Sequence, residues 1–227
     1  MADQDDDLVA GDDGRSRCWW CGDDPLYVAY HDEEWGTPLR DERALFELLC
    51  LEGFQAGLSW ITILRKRVGF REAFRGFVVE DVAAMDETDV KDLLAMPQIV
   101  RHRGKITATI ANARAVLAMR DAGTSLVEVV WSHAPHARDG SPERREEIPA
   151  QTESSIALSR ELRRWGMRFV GPTTTYAFMQ SAGLVDDHLA GCHRAGVGAD
   201  SRRRAPRPDK VRPTRPVAGP TLSDAAS

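Results

Sequence analysis

Cysteine and tyrosine are scarce in this sequence, and no apolar run approaches the roughly 20 residues that a membrane-spanning helix needs. The chain has 4 Cys and 3 Tyr among 227 residues. Its amino terminus is acidic where a secretory signal would be basic and then apolar, so we expect a cytoplasmic protein with no membrane contact. In that compartment cysteines are expected as thiols or metal ligands before disulfides. They are Cys18, Cys21, Cys50 and Cys192.

Charge is distributed unevenly along the chain. Residues 1–16 carry six Asp and one Arg, whereas residues 194–227 carry seven Arg and one Lys against three Asp. Both segments are poor in large apolar residues, and the second is rich in Pro, so both are predicted to be disordered tails. The mildly acidic body, residues 17–193, is predicted to be one compact domain. Its charge argues against wholesale electrostatic binding of nucleic acid, although a local basic patch can still bind it.

Helical patterns dominate the predicted domain. Asp41 can cap a helix that reaches Cys50, and Gly104 precedes a long helix in which apolar residues recur at intervals of three and four. Pro172 suits the first turn of the last helix. No strand-like alternation is longer than a few residues, so we expect an all-α fold. The other predicted helices cover residues 59–67, 88–96, 125–131 and 152–165, and residues 139–149 are predicted to form an exposed loop.

One acidic residue lies where a helix should reach the core. Glu52 follows an apolar helical face, Gly53 and Gly57 permit close backbone approach, and Trp60 offers a broad aromatic face. Together they could line a pocket for a flat, cationic or hydrogen-bond-donating ligand. Glu52 could equally be a solvated residue at a helix end, with Trp60 in the core. This segment alone does not decide between the two interpretations.

Aromatic residues are concentrated between positions 18 and 36, which hold five of the chain's nine Trp and Tyr residues. Tyr27 and Tyr30 are three residues apart, so on a helix they project to the same side. This density favours a tightly packed amino-terminal lobe or a stacking site for flat bases.

Possible metal ligands lie at both ends of the domain. His188 and Cys192 are four residues apart, a spacing that brings two side chains to one metal, and Cys18 with His31 could complete a tetrahedral zinc site. Cys18 and Cys21 could instead form a redox pair or an alternative ligand pair. Spacing alone does not choose between His31 and Cys21.

Residues 97–106 form a basic segment between two predicted helices. It contains Arg101, Arg103 and Lys105, with His102 as a possible fourth cation and Gly104 at the start of the long helix. Free N–H groups and the helix dipole favour a phosphate at such a position, as in helix-hairpin-helix elements. A solvated charged turn is the alternative.

Taken together, these segments resemble the 3-methyladenine DNA glycosylase I (TAG) family over about residues 17–193. The motifs are Asp24-Pro25-Leu26-Tyr27-x-x-Tyr30-His31-Asp32-x-Glu34-Trp35-Gly36, Leu51-Glu52-Gly53-x-Gln55-Ala56-Gly57-Leu58-Ser59-Trp60, Ile99-Val100-Arg101-His102-Arg103-Gly104-Lys105-Ile106 and Phe178-Met179-Gln180-x-x-Gly183-Leu184-Val185-x-Asp187-His188-x-x-Gly191-Cys192. The resemblance implies an all-helical helix-hairpin-helix glycosylase fold, with one structural zinc joining the two ends of the domain.

The resemblance also implies roles for individual residues. Glu52 becomes the catalytic residue, whose carboxylate reads the excised base, and Leu58 is a candidate to fill the gap in the duplex. The basic segment becomes a DNA-binding hairpin with Arg101, Arg103, Gly104 and Lys105. The implied zinc ligands are Cys18, His31, His188 and Cys192. The implied aromatic base pocket consists of Trp20, Tyr27, Tyr30 and Trp60, with Trp35 nearby.

The resemblance implies a repair enzyme that flips 3-methyladenine out of double-stranded alkylated DNA and hydrolyses its N-glycosidic bond, leaving an abasic site. We expect a monomer. The sequence departs from the family pattern in two ways. Its two tails lie outside that pattern, and Cys21 and His193 are further metal-capable groups beside the site, which leaves the ligand set open. Two other functions compete: a bifunctional glycosylase that uses Lys105 as a lyase nucleophile, and a non-catalytic zinc-stapled DNA-binding module.

Overall fold

The computed structural model describes residues 7–136 and 140–197, and this part of the chain is mostly helical. The nine α-helices among these residues are α1 (Pro25–Glu33), α2 (Glu42–Gln55), α3 (Trp60–Ala73), α4 (Val79–Ala83), α5 (Glu87–Ala95), α6 (Arg103–Asp121), α7 (Leu126–Trp131), α8 (Glu153–Arg164) and α9 (Pro172–Ser181). Short 3-10 turns cover Trp19–Cys21, Arg75–Phe77 and Arg145–Glu147.

Side chains at the helix starts explain why these segments form helices where they do. The Asp24 carboxylate accepts from the Leu26 and Tyr27 amides, and Pro25 occupies the first turn of α1. The Asp41 carboxylate accepts from the Ala44 amide, which confirms the predicted cap of α2. At α6 the His102 ring takes this role and accepts from the Lys105 amide.

The amino-terminal segment differs from the sequence-based expectation. Strand β1 (Leu8–Ala10) pairs antiparallel with β2 (Ser16–Cys18), and Leu8 lies opposite Cys18. The buried Arg17 side chain binds the carboxylates of Asp13 and Asp32, each at 2.7 Å. The prediction of a disordered segment is therefore wrong for residues 8–16, because one of its acidic residues has a specific buried partner that composition does not reveal.

The remaining tail predictions lie mostly outside the described residues. Positions 1–6 and 198–227 lie outside the described residues. Residues 194–197 are described and form a turn. The proposed boundaries of the domain, at residues 17 and 193, stay predictions. None of the described helices combines the length and the apolar character that crossing a bilayer requires.

The core is built around α2. This helix packs against α3, α6, α7 and α9 and buries nearly all of its carboxyl-terminal half. A group of phenylalanine rings from α2, α3 and the turn after α3 fills the space beside it: Phe54, Phe70, Phe74 and Phe77. Because α2 runs through this core, its last turn delivers Glu52 to a buried position between α1, α3 and α9.

Candidate active site

A cavity of about 290 Å³ lies where α1, the end of α2, the start of α3 and α9 meet. All six residues proposed to contact a base line it: Trp20, Tyr27, Tyr30, Trp35, Glu52 and Trp60. Six further residues that no sequence pattern indicated as base contacts also line it: Trp19, Gln55, Ile148, Ala177, Gln180 and Ser181. The structure thus brings segments more than 100 residues apart to one site.

Glu52 is the acidic group of this cavity. Its side chain is buried, with 3% of the residue exposed, which excludes the solvated helix end as an interpretation. Oε1 accepts a hydrogen bond of 2.7 Å from the Ser181 hydroxyl. Burial raises the pKa of Glu52 to about 8, and the bond from Ser181 opposes that rise only in part. The carboxyl group therefore changes protonation near neutral pH.

Three buried polar atoms at the cavity have no hydrogen-bond partner among the described residues. They are Glu52 Oε2, Tyr30 Oη and Trp60 Nε1. An unsatisfied buried polar group costs about 1–3 kcal/mol, so three in one cavity need an explanation. A ligand that offers a donor to the carboxylate and acceptors to the hydroxyl and the indole would satisfy all three.

The walls of the cavity are aromatic. The Trp20 ring lies 5.1 Å from that of Tyr27 and 5.0 Å from that of Trp35, and the rings of Tyr30 and Trp60 are 5.5 Å apart. Burial raises the pKa of Tyr27 to about 12 and that of Tyr30 well above its ordinary value. Both phenols therefore stay neutral, and their faces are available to stack on a flat cation.

The four ligands implied by the resemblance form one buried cluster behind this wall. The sulfur and ring nitrogen atoms of Cys18, His31, His188 and Cys192 lie within 4.8 Å of one another, so the group could hold a metal ion. Sulfur-to-nitrogen distances are 3.4 Å from Cys192 to His31, 3.6 Å from Cys192 to His188 and 3.7 Å from Cys18 to His188. Tetrahedral zinc with its usual bond lengths would separate S and N ligands by about 3.6 Å, so the donor set fits.

A second layer of contacts orients the two histidines. Asp32 Oδ1 lies 2.7 Å from His31 Nδ1, and His188 Nε2 lies 3.2 Å from the Trp35 carbonyl oxygen. Partners of this kind fix the tautomer and turn the other ring nitrogen toward a metal. Hydrogen bonds, first from Cys18 and then from the two rings, lower the pKa of Cys192, so this sulfur favours the thiolate that a metal requires.

The two further metal-capable residues have other contacts. The Cys21 thiol donates to the Cys18 carbonyl at 3.2 Å and stands outside the four-residue group. His193 Nε2 lies 2.9 Å from Asp32 Oδ1 and joins His31 and Asp32 in a second, partly exposed group. Between the alternatives that spacing left open, the structure gathers His31 rather than Cys21.

The cluster and the cavity share a wall. The Trp20 ring lies 5.2 Å from the His31 ring, and the Trp35 ring lies 4.5 Å from the His188 ring. These two indoles face the cavity on one side and the histidines on the other. Anything that displaces the histidines therefore also displaces the aromatic wall.

The residues predicted to bind DNA are divided between surface and interior. Arg101, Arg103 and Leu58 are exposed, Leu58 at 42%, and Arg103 pairs with Glu87 at 2.6 Å. Lys105 is buried, and its ammonium donates to the carbonyls of Phe54 at 2.9 Å and Ala56 at 2.6 Å. The predicted phosphate contact of Lys105 is therefore wrong, because α6 turns this side chain inward to join the end of α2.

The methyladenine glycosylase family model matches residues 20–195. The chain belongs to this family. The glycosylase is 51% identical over 179 residues to DNA-3-methyladenine glycosylase 1 of Escherichia coli K12, which covers 78% of this chain and 95% of that protein. It is 47% identical over 180 residues to a DNA-3-methyladenine glycosylase of Haemophilus influenzae. That match covers 78% of this chain and 96% of the relative.

Solved structures agree with the sequence matches. A crystal structure of 3-methyladenine DNA glycosylase I (TAG) superposes on the glycosylase with a TM-score of 0.76 at 50% identity, covering 78% of this chain and 98% of that one. The Staphylococcus aureus TAG structure that describes 3-methyladenine recognition superposes with a TM-score of 0.71 at 39% identity. The match covers 75% of this chain and 91% of that one. The predicted family resemblance is confirmed.

Proposed function

We propose that the glycosylase excises 3-methyladenine from alkylated DNA by hydrolysing the N-glycosidic bond, which leaves an abasic site. The observation that carries this proposal is the buried Glu52 carboxyl group, whose Oε2 has no partner among the described residues and faces a cavity with aromatic walls. Relatives that are 47–51% identical bear the name of this activity, and they match along nearly their whole length.

The chemistry of the lesion suits this cavity. Methylation at N3 makes the adenine of the deoxynucleoside a cation, so its bond to the sugar is already weakened. Aromatic faces bind a cationic ring more strongly than neutral adenine. A bound cation favours the ionised form of Glu52, whose pKa burial has raised to about 8. The Glu52 carboxylate then accepts a hydrogen bond from the adenine edge.

Different residues of the cavity contribute to different steps of excision. The base first leaves the duplex, at a cost that is lower for a damaged pair. Tyr30 and Trp60 offer their unsatisfied donors to the ring while Glu52 holds its edge and stabilises the departing base. Water takes the C1′ position of the sugar. No lysine is needed as a nucleophile, and Lys105 does not line the cavity, which supports hydrolysis over a lyase mechanism.

The metal that we propose for the four-residue cluster is one zinc ion, held by Cys18, His31, His188 and Cys192. Two thiolates and two imidazoles at tetrahedral spacing are the donors that zinc prefers. When bound, zinc would supply folding free energy by joining the two ends of the domain. The chain's own contribution is to orient the rings, through Asp32 at His31 and the Trp35 carbonyl at His188.

For double-stranded DNA we propose a contact surface at the start of α6, in the manner of a helix-hairpin-helix element. Arg101, Arg103 and the backbone amides beginning at Gly104 would meet phosphates, and Leu58 would enter the gap that the flipped base leaves. Lys105 is not part of this surface. We further propose that the glycosylase acts as a monomer in the cytoplasm, where its bacterial relatives would meet chromosomal DNA.

A base-release assay on methylated duplex DNA tests this function. The glycosylase should release free 3-methyladenine, identified by chromatography, and leave abasic sites without cutting the strand. Borohydride added during the reaction should trap no protein–DNA adduct, because no Schiff base forms. Absence of released 3-methyladenine would contradict the proposal, and a trapped adduct would favour the bifunctional alternative. Binding of duplex without any base release would favour the non-catalytic module.

A further inference from the structure

The loop between α8 and α9 presents an aromatic residue in an unfavourable backbone conformation. Phe169 has φ of 56° and is 39% exposed. The left-handed region is costly for a bulky side chain and is usually left to Gly or Asn. A residue in such a conformation persists only where its surroundings hold it, and such residues cluster at functional sites.

Three buried polar side chains hold the backbone on both sides of Phe169. The Asn112 amide accepts from Arg168 N at 2.8 Å and donates to Arg168 O at 3.2 Å. The hydroxyls of Ser159 and Thr175 both donate to Val170 O, at 2.6 and 3.2 Å. The core therefore fixes the direction of this loop and keeps the Phe169 ring at the surface.

The ring lies against the start of α6. Its centroid is 6.3 Å from that of His102, the residue that caps α6. A methyl group on Gly104 would lie 3.9 Å from Phe169 Cζ, and one on Gly53 would lie 3.2 Å from Phe169 Cβ. Phe169 thus extends the surface that we propose for DNA.

Positive charge accompanies the exposed ring. The side chains of Arg168 and Arg101 are exposed, and within residues 7–136 and 140–197 neither forms an ion pair. Arg101 precedes His102 in the sequence and Arg168 precedes Phe169, and the rings of His102 and Phe169 are the two that meet here. Unpaired guanidinium groups beside an apolar ring suit double-stranded DNA, because arginines bind phosphates and phenylalanine rings press against sugars or enter base steps.

We propose that Arg168 and Phe169 form a second DNA contact beside the hairpin, with the guanidinium on a backbone phosphate and the ring against the sugars and base edges. This inference rests on the proposed function, because it takes duplex DNA as the substrate. The competing explanation is that Phe169 only packs the hairpin against the body of the protein. A ring with that role alone would not need to be held outward in a left-handed conformation.

Two variants separate these explanations. Phe169→Gly removes the ring and relieves the left-handed backbone. Arg168→Gln removes the charge but keeps both bonds to Asn112, which involve only backbone atoms of Arg168. Arg43→Gln is the matched control, because Arg43 is exposed at the first turn of α2, about 15 Å along that helix from Gly53.

The measurements are duplex affinity at several salt concentrations, affinity for free 3-methyladenine and the thermal midpoint. Phe169→Gly should weaken duplex binding about tenfold, the loss expected for one aromatic contact with nucleic acid. Arg168→Gln should reduce the slope of log affinity against log salt by about 1. Both variants should keep the wild-type base affinity. Arg168→Gln should keep the wild-type midpoint, and the midpoint of Phe169→Gly should not fall below it, because Gly accepts the left-handed backbone without strain. Arg43→Gln should match the wild type throughout.

A wild-type salt slope in Arg168→Gln, with a lowered midpoint and unchanged duplex affinity in Phe169→Gly, would overturn the inference and assign the ring to packing. Failure of the proposed function looks different. In that case the wild-type protein itself would release no 3-methyladenine from methylated duplex. If the wild type excises the base while both variants bind duplex as it does, only the second DNA contact is refuted.

Discussion

The indole of Trp35 meets the imidazole of His188 edge-on, with 4.5 Å between the ring centroids and 88° between the ring planes. Trp35 also lines the cavity, and its backbone carbonyl accepts a hydrogen bond from His188 Nε2. The cluster of Cys18, His31, His188 and Cys192 and the wall of the cavity are therefore in direct contact. A change in one should be measurable in the other.

The first prediction concerns the metal. Freshly purified, untagged protein should contain about one zinc ion, and Cys18→Ser should lower both the zinc content and the thermal midpoint, because the ion stabilises the folded state. Affinity for 3-methyladenine should fall as well, because Trp20 packs against the His31 ring and Trp35 packs against the His188 ring.

Cys21→Ser is the matched control for that experiment. Cys21 is also buried, and a serine hydroxyl can keep its hydrogen bond to the Cys18 carbonyl. Metal analysis should find wild-type zinc content in this variant. Protein without zinc, or equal zinc loss in both variants, would contradict the proposed ligand set.

The second prediction separates two cations of the hairpin. Arg101→Ala should weaken binding equally for damaged and undamaged duplex and reduce the salt slope by about 1, because it removes one phosphate contact. Lys105→Met should leave that slope unchanged but lower the thermal midpoint, because two buried carbonyls lose their donor. Titrations at several salt concentrations, with thermal unfolding of each variant, provide the check. An altered slope in Lys105→Met would restore the lysine to the DNA contact.

The third prediction follows from the pKa of Glu52, which is about 8 in the folded protein against an ordinary value of 4.5. Because the folded protein binds this proton more tightly, the contribution of Glu52 to stability is complete below about pH 4.5 and is lost as the pH rises through 8. Gln does not titrate, so Glu52→Gln should remove this loss of stability at high pH. The variant should therefore gain stability relative to the wild type between pH 5 and pH 8, by an amount on the order of a few kcal/mol.

Chemical denaturation of both proteins at the two pH values measures that difference. Glu47→Gln on the same helix is the matched control, because Glu47 pairs with Arg71 and does not line the cavity. An equal stability difference at pH 5 and pH 8 would mean that Glu52 keeps an ordinary pKa in the folded protein.

Much of the site could be predicted from the sequence because its residues lie in local motifs that the family resemblance identifies. The apolar spacing before Glu52 left a buried position and a solvated helix end as alternatives, and the spacing of cysteines and histidines left His31 and Cys21 as alternative ligands. The resemblance selected the group of Cys18, His31, His188 and Cys192, which the structure does assemble. Ser181 was missed, because its bond to Glu52 joins residues 129 positions apart and no local pattern encodes that distance.

The errors have equally specific causes. Counting cations in the hairpin gave Lys105 a surface role, but the direction of a side chain at a helix start depends on what packs against it. The hairpin of β1 and β2 was missed because each strand has only three residues, and its stabilising partner, Arg17, reads in the sequence as one ordinary surface charge. Composition records charge but not pairing.

The most direct test of the account is Glu52→Gln, assayed for binding of free 3-methyladenine and for excision from methylated duplex. Gln keeps the shape of the side chain but loses its charge, and it places a donor where the adenine edge already donates. Correct folding, bound zinc and wild-type affinity for undamaged DNA, together with Glu47→Gln as control, would show that only the site has changed. The account predicts poor base binding and excision slowed by about 100-fold or more. Near wild-type base affinity and excision rate in this variant would show that Glu52 does not read the base.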